Sequence, residues 1–313
     1  MRLISLGIAL LGAVGSGVTV TGQAGTAGTH PLVGTWRLVS LQRAAPAQPL
    51  APVDNPVGIL IHDATGHAIE VVTQAGRPAS LNPAEQLQTY EASWGRYTVE
   101  ASGATATYLI AGDLNPGRKD RRVLRTFQRR DTELVLVENG PDQRPAVRTT
   151  WQRIPELEAL PAYQEALVGF WRWTGSGMIN ARGANVRPAS RDPSVIVYTP
   201  TGHMAVLYLP PPGRQRFASA VPTIDEARAA LQGSVSYFGT YIVQPKSRTL
   251  FHYQLGAVNP AAVGGSFMRN FDTAGAQVTL VFPPTMLNGE QVRNTLTLER
   301  LSGLAEMWPD FRR

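Results

Sequence analysis

The amino-acid sequence repeats itself at the scale of a whole domain. Leu32 recurs as Leu167 and Arg125 as Arg269, so the offset is 135 residues at the start and 144 residues at the end. A period this long exceeds that of a solenoid unit, and each copy is expected to be a domain with its own core. The motifs that recur in the same order are Leu-Val-Gly-Thr-Trp-Arg at 32–37 and Leu-Val-Gly-Phe-Trp-Arg at 167–172, Thr-Gly-His at 65–67 and 201–203, Trp-Gly-Arg-Tyr at 94–97 and Phe-Gly-Thr-Tyr at 238–241, Asn-Pro at 115–116 and 259–260, and Arg-Thr-Phe at 125–127 and Arg-Asn-Phe at 269–271.

Composition favours folded domains and argues against nucleic-acid binding. Hydrophobic residues make up 43% of the chain and charged residues 17%, which supports packed cores. The net charge is +6, but the arginines are scattered apart from 118–122 and 129–130. A nucleic-acid interface needs a concentrated basic patch with aromatic stacking platforms, and the sequence shows neither. A solvated basic surface is the expected reading.

The N-terminus predicts export. Arg2 precedes an apolar stretch at 3–14, and small residues then lead to a cleavage site near Ala24, so residues 1–24 are interpreted as a signal peptide. No other segment approaches the length of a membrane span. The chain has no cysteine, which excludes disulfides and thiol catalysis. A periplasmic or secreted protein is expected.

Domain boundaries follow from the repeat and from proline positions. The first domain is predicted at 31–154, a linker at 155–165, the second domain at 166–301 and a C-terminal tail at 302–313. In the tail, Met307, Trp308 and Phe311 are expected to pack on a domain. Alternating apolar patterns predict eight strands in the second copy, at about 167–174, 194–199, 203–209, 235–243, 249–256, 265–272, 276–282 and 291–300.

One short helix is predicted at the same place in each copy. Asn82 and Glu85 in the first copy, and Thr223 and Glu226 in the second, have the spacing of a capping box. Eight antiparallel strands in about 130 residues predict an all-β domain, either a sandwich or a closed up-and-down barrel. A closed eight-stranded barrel removes exposed edges and can hold one small ligand.

The motifs resemble those of the bacterial lipocalin-like domain family and, more widely, of lipocalin-type barrels. Gly34-Thr-Trp36 and Gly169-Phe-Trp171 look like the lipocalin entry motif. The resemblance implies that Arg153 and Arg300, near the end of each copy, pack across these tryptophans at the closed end of a barrel. The second copy fits better, with Tyr-Thr-Pro-Thr-Gly-His-Met at 198–204 and a histidine at 252, where the first copy has His-Asp-Ala at 62–64 and Tyr108. The implied fold is a tandem of two eight-stranded lipocalin-like barrels, each with one short helix.

Histidine and arginine positions are the candidates for chemistry. His67 and His203 follow the same turn in both copies and could serve acid–base work or bind a polar ligand head, or could simply be bonded to backbone. His252 lies in an aromatic strand beside Tyr253 and is either a base or a satisfied core residue. Arg125 and Arg269 hold equivalent strand positions, and each either fixes an acidic or carbonyl group in the lumen or faces solvent.

Aromatic and polar side chains of the second copy could line an apolar pocket, although each could equally be core. These predicted ligand-binding residues are Tyr198, His203, Met204, Tyr208, Tyr237 and Phe238, joined by His67 and Arg125 of the first copy. The five histidines have no spacing typical of a metal site, and the sequence carries no phosphate-binding or dinucleotide motif. No metal and no cofactor are therefore expected.

Three functions remain open from the sequence. The first is a binding protein that holds a small apolar or amphipathic molecule in one or both lumens. The second is a cofactor-free enzyme (a hydratase, isomerase or cyclase) acting on a terpenoid- or polyketide-like substrate in the second barrel, with His252, Tyr253 and Arg269 as catalytic residues. The third is a scaffold whose outer faces bind a protein partner. The sequence does not fix the ligand or the oligomeric state.

Overall fold

The structure is a computed structural model of the 313-residue chain. It describes residues 31–45, 48–100, 103–182, 185–187, 194–209 and 214–302, and from Pro31 onward these residues belong to one compact unit. The predicted signal peptide at 1–24 lies outside the described residues, as do Met307, Trp308 and Phe311 of the predicted tail. Among the described residues, no helix is both long enough and apolar enough to cross a membrane.

The first copy is a closed eight-stranded antiparallel barrel. Strand β1 pairs with β3, each strand from β3 to β8 pairs with the next along the chain, and β9 returns to pair with β1, so the sheet closes. The short strand β2 pairs only with the far end of β1. The strands are β1 (Gly34–Ala44), β2 (Leu50–Pro52), β3 (Pro56–His62), β4 (His67–Gln74), β5 (Tyr90–Val99), β6 (Thr105–Asp113), β7 (Arg122–Arg130), β8 (Glu133–Asn139) and β9 (Pro145–Arg153).

The second copy closes in the same way, because β19 pairs with β10. The short strands β11 and β18 extend β10 and β19 outside the ring of eight. The strands are β10 (Gly169–Asn180), β11 (Asn185–Arg187), β12 (Val195–Tyr198), β13 (His203–Tyr208), β14 (Val235–Gln244), β15 (Thr249–Ala257), β16 (Ser266–Ala274), β17 (Gln277–Val281), β18 (Thr285–Leu287) and β19 (Glu290–Arg300). The prediction of two eight-stranded barrels is confirmed, and the alternative of a sandwich is wrong.

Both predicted capping boxes are present. The helices are α1 (Pro83–Thr89), α2 (Ala162–Glu165) and α3 (Ile224–Leu231). The Glu85 amide donates to Asn82 Oδ1 at 3.1 Å, and the Asn82 amide donates to Glu85 Oε2 at 2.8 Å. In α3 the Glu226 amide donates to Thr223 Oγ1 at 3.2 Å, and the Thr223 amide donates to Glu226 Oε2 at 2.8 Å. Each cap satisfies amides that the first helical turn leaves unpaired.

A tryptophan–arginine pair closes one end of each barrel. The indole N–H of Trp36 donates to the Leu32 carbonyl at 3.0 Å, and that of Trp171 donates to the Leu167 carbonyl at 2.7 Å. The guanidinium carbon of Arg153 lies 5.7 Å from the Trp36 ring centre, and that of Arg300 lies 4.2 Å from the Trp171 ring centre. These contacts are structural, as the sequence indicated, and they stabilise the barrel end by packing and cation–π attraction.

The outer faces of the two barrels bury a common apolar core. Strands β3 to β5 of the first barrel and β12 to β14 of the second meet face to face, and α1 packs against α3. We call this cluster the inter-barrel core. Its residues are Ile59, Ile61, Ile69, Val71, Tyr90, Ala92, Trp94, Ala111, Leu114, Phe170, Val195, Val197, Ala205, Leu207, Leu209, Phe238, Val258 and Leu301.

Polar side chains also cross between the barrels. The Arg77 guanidinium donates to the carbonyl oxygens of Ala257 at 2.9 Å and Val258 at 3.2 Å. In the opposite direction, Arg214 donates to the carbonyl oxygen of Asp113 at 2.8 Å. Because arginines from both copies bind backbone carbonyls of the other, the two barrels are joined by hydrogen bonds as well as by apolar contact.

Candidate site in the second barrel

A histidine between two tyrosines lies in the interior of the second barrel. His252, on β15, is fully buried. Its Nε2 lies 3.0 Å from the hydroxyl of Tyr198, on β12, and its Nδ1 lies 2.7 Å from the hydroxyl of Tyr237, on β14. The three residues come from different strands, and the inward side of the alternating pleat brings them together. Each ring nitrogen therefore has a phenol as its partner.

Burial fixes the protonation of this group. Desolvation, helped by the positive charge of Arg269, holds the pKa of His252 well below its usual value. Burial likewise raises the pKa of Tyr237 to about 12 and that of Tyr198 well above 10. At neutral pH the imidazole is uncharged and the phenols are protonated, so one ring nitrogen of His252 accepts a hydrogen bond from a tyrosine hydroxyl and the other donates its N–H to the second tyrosine.

The first barrel carries the same pair with the partners exchanged. His62 ends β3 at the position equivalent to Tyr198, and Tyr108 lies on β6 at the position equivalent to His252. His62 Nε2 and the Tyr108 hydroxyl are 2.9 Å apart. The position of Tyr237 is taken by Ser93. The apparent departure of the first copy from the family pattern is therefore an exchange that preserves one hydrogen bond and loses the second tyrosine.

Arg269 is a buried cation that has no counter-ion in the described part of the chain. Its side chain points into the second barrel and is 7% exposed, and its guanidinium carbon lies 4.7 Å from the Phe267 ring centre and 4.5 Å from that of Phe282. Nη1 is fully buried and has no hydrogen-bond partner among the described residues. Within the same ranges no carboxylate pairs with it. Phe267 itself is 39% exposed, so the guanidinium lies just below the barrel surface.

The equivalent arginine of the first barrel is fully paired. Arg125 donates through Nη1 to Glu70 and through Nε to Glu138 Oε2 at 3.1 Å. Its guanidinium carbon also lies 5.2 Å from the Tyr108 ring centre. The two nearby carboxylates raise the pKa of Arg125 although burial opposes them. The first barrel therefore neutralises its interior arginine with its own residues.

Two further interior polar atoms of the second barrel lack partners. Trp173 Nε1 and Gln254 Oε1 are buried and have no hydrogen-bond partner in the described part of the chain. Trp173 stacks on Tyr208, with ring centres 4.4 Å apart. We call Arg269 and the two rings against its guanidinium, Phe267 and Phe282, the Arg269 site. Sequence reasoning missed Trp173 and Gln254, although comparison of the copies gives a signal, because Leu38 and Ile110 stand at the equivalent positions.

The predicted site residues divide between the two faces of the sheet. Tyr253 lies on the outer face, is 40% exposed and is not brought together with His252. Phe238 belongs to the inter-barrel core, not to the lumen. Those in the interior of the second barrel are Tyr198, Met204, Tyr208, Tyr237, His252 and Arg269.

His67 and His203 both stabilise turns on the outer face. His67 Nδ1 lies 2.7 Å from Thr65 Oγ1, and the imidazole ring centre lies 5.6 Å from that of Phe170 in the other barrel. His203 Nδ1 lies 3.1 Å from Thr201 Oγ1, and burial lowers its pKa. The two histidines hold the same local role in both copies and lie outside the lumens.

Cavities of different size occur inside the first barrel and between the barrels. Two that border Glu70 and Arg125 have volumes of about 20 and 50 Å³, enough for water molecules but not for an organic ligand. Two between the barrels measure about 190 Å³, beside Arg77 and Val263, and about 240 Å³, beside Asp113 and Phe217. Within the described ranges, no three His, Asp or Glu side chains are grouped to hold a metal ion.

Two closed eight-stranded antiparallel barrels, each opened by a Gly-x-Trp motif and closed by an arginine over that tryptophan, define the lipocalin-like class. Residues 168–301 match the family described as "Lipocalin-like domain". The first barrel repeats the topology and motifs of the second, and the chain is a tandem lipocalin-like β-barrel protein. No curated protein matches the sequence.

Three solved structures show remote similarity. One is a protein of unknown function from the DUF3598 family of Nostoc punctiforme, 10% identical, with a TM-score of 0.21 over 87% of this chain and 97% of that one. Another is MucB in complex with MucA(peri), 10% identical, with a TM-score of 0.13 over 84% and 87%. The third is the MucA/MucB complex of Pseudomonas aeruginosa, 10% identical, with a TM-score of 0.12 over 85% and 89%. These scores are low, and neither fold nor function is inferred from them.

Proposed function

We propose that the protein is a binding protein that holds a small amphipathic molecule in its second barrel. The observation that carries the proposal is the Arg269 site, in which the buried Nη1 of the guanidinium has no hydrogen-bond partner among the described residues. Trp173 Nε1 and Gln254 Oε1, in the interior of the same barrel, are also buried and unpaired within those residues. Leaving a buried polar group unsatisfied costs about 1–3 kcal/mol, and more when the group is charged. A bound molecule with complementary polar atoms would remove that cost.

The surroundings of the Arg269 site suit a molecule with an apolar body. The rings of Phe267 and Phe282 contact the Arg269 guanidinium, and Trp173 stacks on Tyr208 in the interior of the same barrel. Ligand sites combine such apolar walls with a few fixed polar groups. The first barrel differs at this position, because Glu70 and Glu138 already neutralise Arg125. The proposal therefore assigns ligand binding to the second barrel.

Location outside the cytoplasm is part of the proposal. It rests on the sequence of residues 1–24 and on the absence of cysteine. Release of a shortened chain into the periplasm or medium, with its new N-terminus near residue 25, would support it. Retention of the uncut chain in the cytoplasm would contradict it.

Binding of a neutral fluorescent probe, N-phenyl-1-naphthylamine, tests the proposed function. We expect the wild-type protein to bind it and Trp173→Leu, which installs the first-barrel residue, to bind it at least several-fold more weakly. Leu38→Met at the equivalent position of the first barrel is the matched control and should bind like the wild type. Native mass spectrometry of protein from its own host would then identify any molecule carried. Equal binding by W173L and the wild type would contradict the assignment to the second barrel.

A cofactor-free enzyme is the second candidate, favoured by the Tyr198–His252–Tyr237 array. A neutral imidazole between two phenols can take a proton on one nitrogen as it releases one from the other. Tyr237 replaces Tyr253 as the acid in this scheme, since Tyr253 lies on the outer face. Proton transfer of this kind, in a shaped apolar cavity, is the chemistry required for hydration, isomerisation or cyclisation of a terpenoid- or polyketide-like substrate. If His252→Gln kept ligand binding and lost turnover of the extracted molecule, the enzyme would be favoured. Unchanged turnover would exclude His252 from the reaction.

A further inference from the structure

We infer that the molecule bound by the second barrel carries a carboxylate, and that Arg269 binds it where the first barrel places the carboxylates of Glu70 and Glu138. This inference rests on the proposed function and names the chemical class of its ligand. In the first barrel, the side chains of Glu70 and Glu138 occupy the position that we assign to the ligand carboxylate in the second barrel.

Strand register establishes that the two arginines are equivalent. Arg125 pairs with Ala106 on β6, and Arg269 pairs with Leu250 on β15. The histidine–tyrosine pair gives the same alignment, because Tyr108 and His252 each lie two residues beyond those partners. Both arginines therefore enter the lumen at the same height and on the same strand of the barrel.

One carboxylate of the first barrel comes from the strand next to Arg125, and the other reaches it across the barrel interior. Glu70 lies on β4, where it pairs with Ser93, and Glu138 lies on β8, where it pairs with Arg125 itself. The side chains of Arg125, Glu70 and Glu138 are only 12%, 15% and 27% exposed. A buried arginine held by two carboxylates is the arrangement expected when a charge must stay out of water.

Both carboxylates are missing from the second barrel. Val206 pairs with Tyr237 and so takes the position of Glu70. Phe282 follows Val281, the partner of Asn270, and so takes the position of Glu138. The arginine is kept while its partners become apolar, and Phe282 now contacts the guanidinium through its ring. The second barrel thus retains a cation that has no counter-ion among the described residues.

The guanidinium of Arg269 favours a planar monoanion over other ligands. Its N–H groups are fixed donors in a plane, and a carboxylate can accept from them with both oxygens. His252 is uncharged, so Arg269 is the cation of this group and matches a single negative charge. An amine would be repelled by the guanidinium.

Three probes that share one alkyl chain test the inference: dodecanoate, dodecanol and dodecylamine. Dodecanoate should bind the wild type roughly 10- to 100-fold more tightly than dodecanol, because a charge-assisted hydrogen bond is formed in a buried site. Dodecylamine should bind most weakly. Arg269→Met should bring the affinity for dodecanoate down to that for dodecanol, and Arg269→Lys should keep part of the preference.

Val206→Glu provides the sharpest variant, because it grafts the counter-ion of the first barrel onto the second. We expect it to lose the preference for dodecanoate while its melting temperature stays at or above that of the wild type. The matched exchange Leu124→Glu, on the exposed outer face of the first barrel, adds the same charge and should leave binding unchanged. Melting curves of every variant check that it folds.

The outcomes separate the inference from the proposed function. If dodecanoate and dodecanol bind equally well and R269M changes neither, the carboxylate inference is overturned while the binding function stands. If none of the three probes binds and N-phenyl-1-naphthylamine does not bind either, the proposed function itself fails. A preference for dodecanoate that survives V206E would also overturn the inference, because the acid would then be held elsewhere.

Discussion

His252 shows how a single buried residue can be satisfied in two chemically different ways. A hydrogen bond between an imidazole and a phenol works with either residue on either strand, because both groups can donate and accept. The first barrel places the histidine on β3 and the tyrosine on β6, and the second does the reverse on β12 and β15. What distinguishes the second barrel is the additional partner, Tyr237.

The lowered pKa of His252 predicts a specific dependence of stability on pH. Above about pH 6.5 the imidazole is neutral in both the folded and the unfolded chain and contributes nothing. Below that pH the histidine becomes protonated in the unfolded chain, whereas His252 stays neutral in the folded protein. The free energy of unfolding therefore falls by at most about 1.4 kcal/mol per pH unit. His252→Gln should lose this contribution.

Chemical denaturation between pH 7.5 and pH 4.5 measures the effect as the difference between wild type and H252Q. His203→Gln is the matched control, and it should show a change in the same direction but smaller, since His203 is only partly buried. Parallel pH profiles for wild type and H252Q would show that His252 becomes protonated over the same pH range in the folded protein as in the unfolded chain.

At the scale of the element, the capping boxes are the clearest link between sequence and stability. The Thr223 hydroxyl oxygen accepts a hydrogen bond from the Glu226 amide, and the Thr223 amide donates one to the Glu226 carboxylate. The helix that it starts, α3, has only eight residues and packs against α1 of the other barrel. A cap therefore stabilises both the helix and a contact between the barrels.

Thr223→Ala should cost about 1 kcal/mol of unfolding free energy, because it leaves the Glu226 amide unpaired at the helix start. Thr223→Ser keeps the hydroxyl and should stay within a few tenths of a kcal/mol of the wild type. Urea denaturation followed by circular dichroism gives both values. Equal losses for the two variants would show that the methyl group, not the hydroxyl, carries the effect.

The elements could be predicted from the sequence because their signals are local. Turn motifs such as Thr-Gly-His, the capping boxes and the repeated Gly-x-Trp each depend on a few neighbouring residues. The inward faces of the strands could not be predicted so well. The outer face of β13 and β14 is buried against the other barrel, so apolar residues occur on both sides and the alternation is lost. Because of this loss of alternation, the sequence predicts Phe238 in the pocket, whereas the residue lies in the inter-barrel core.

The Arg269 site marks a second limit of sequence reasoning. That Arg269, Phe267 and Phe271 share one face follows from their spacing, but the missing counter-ion also depends on Val206, on a strand that is far away in the chain. Trp173 and Gln254 gave no local signal, because an indole or an amide is ordinary in a strand until its partners are known. Alignment of the two copies is the only sequence evidence that distinguishes Trp173 and Gln254 from other strand residues.

For the whole molecule, the inter-barrel core decides whether the two barrels act as one. Phe170 is 1% exposed in this core and lies against His67 of the first barrel. Apolar burial of this kind resembles the interior of a domain more than a contact between loosely linked domains. The two barrels are therefore expected to unfold together.

Phe170→Ala should cost about 3–5 kcal/mol, because it leaves a cavity in the inter-barrel core. Hydrogen exchange should quicken for amides of β3 and β4 in the first barrel as well as of β12 and β13 in the second. Leu124→Ala, at a side chain that is 55% exposed, should cost less than about 0.5 kcal/mol. Faster exchange confined to the second barrel would show that the barrels unfold independently.

The inter-barrel core is built from the same patch of both copies. Ile59 and Val195 are equivalent positions, as are Val71 and Leu207, and α1 meets α3. Self-complementary surfaces of this kind are those of two-fold symmetric homodimers. The packing of the two barrels thus resembles that of a two-fold dimer whose halves are joined covalently and are free to differ. In a homodimer every substitution appears twice, whereas here one half keeps glutamates beside its arginine and the other half does without them.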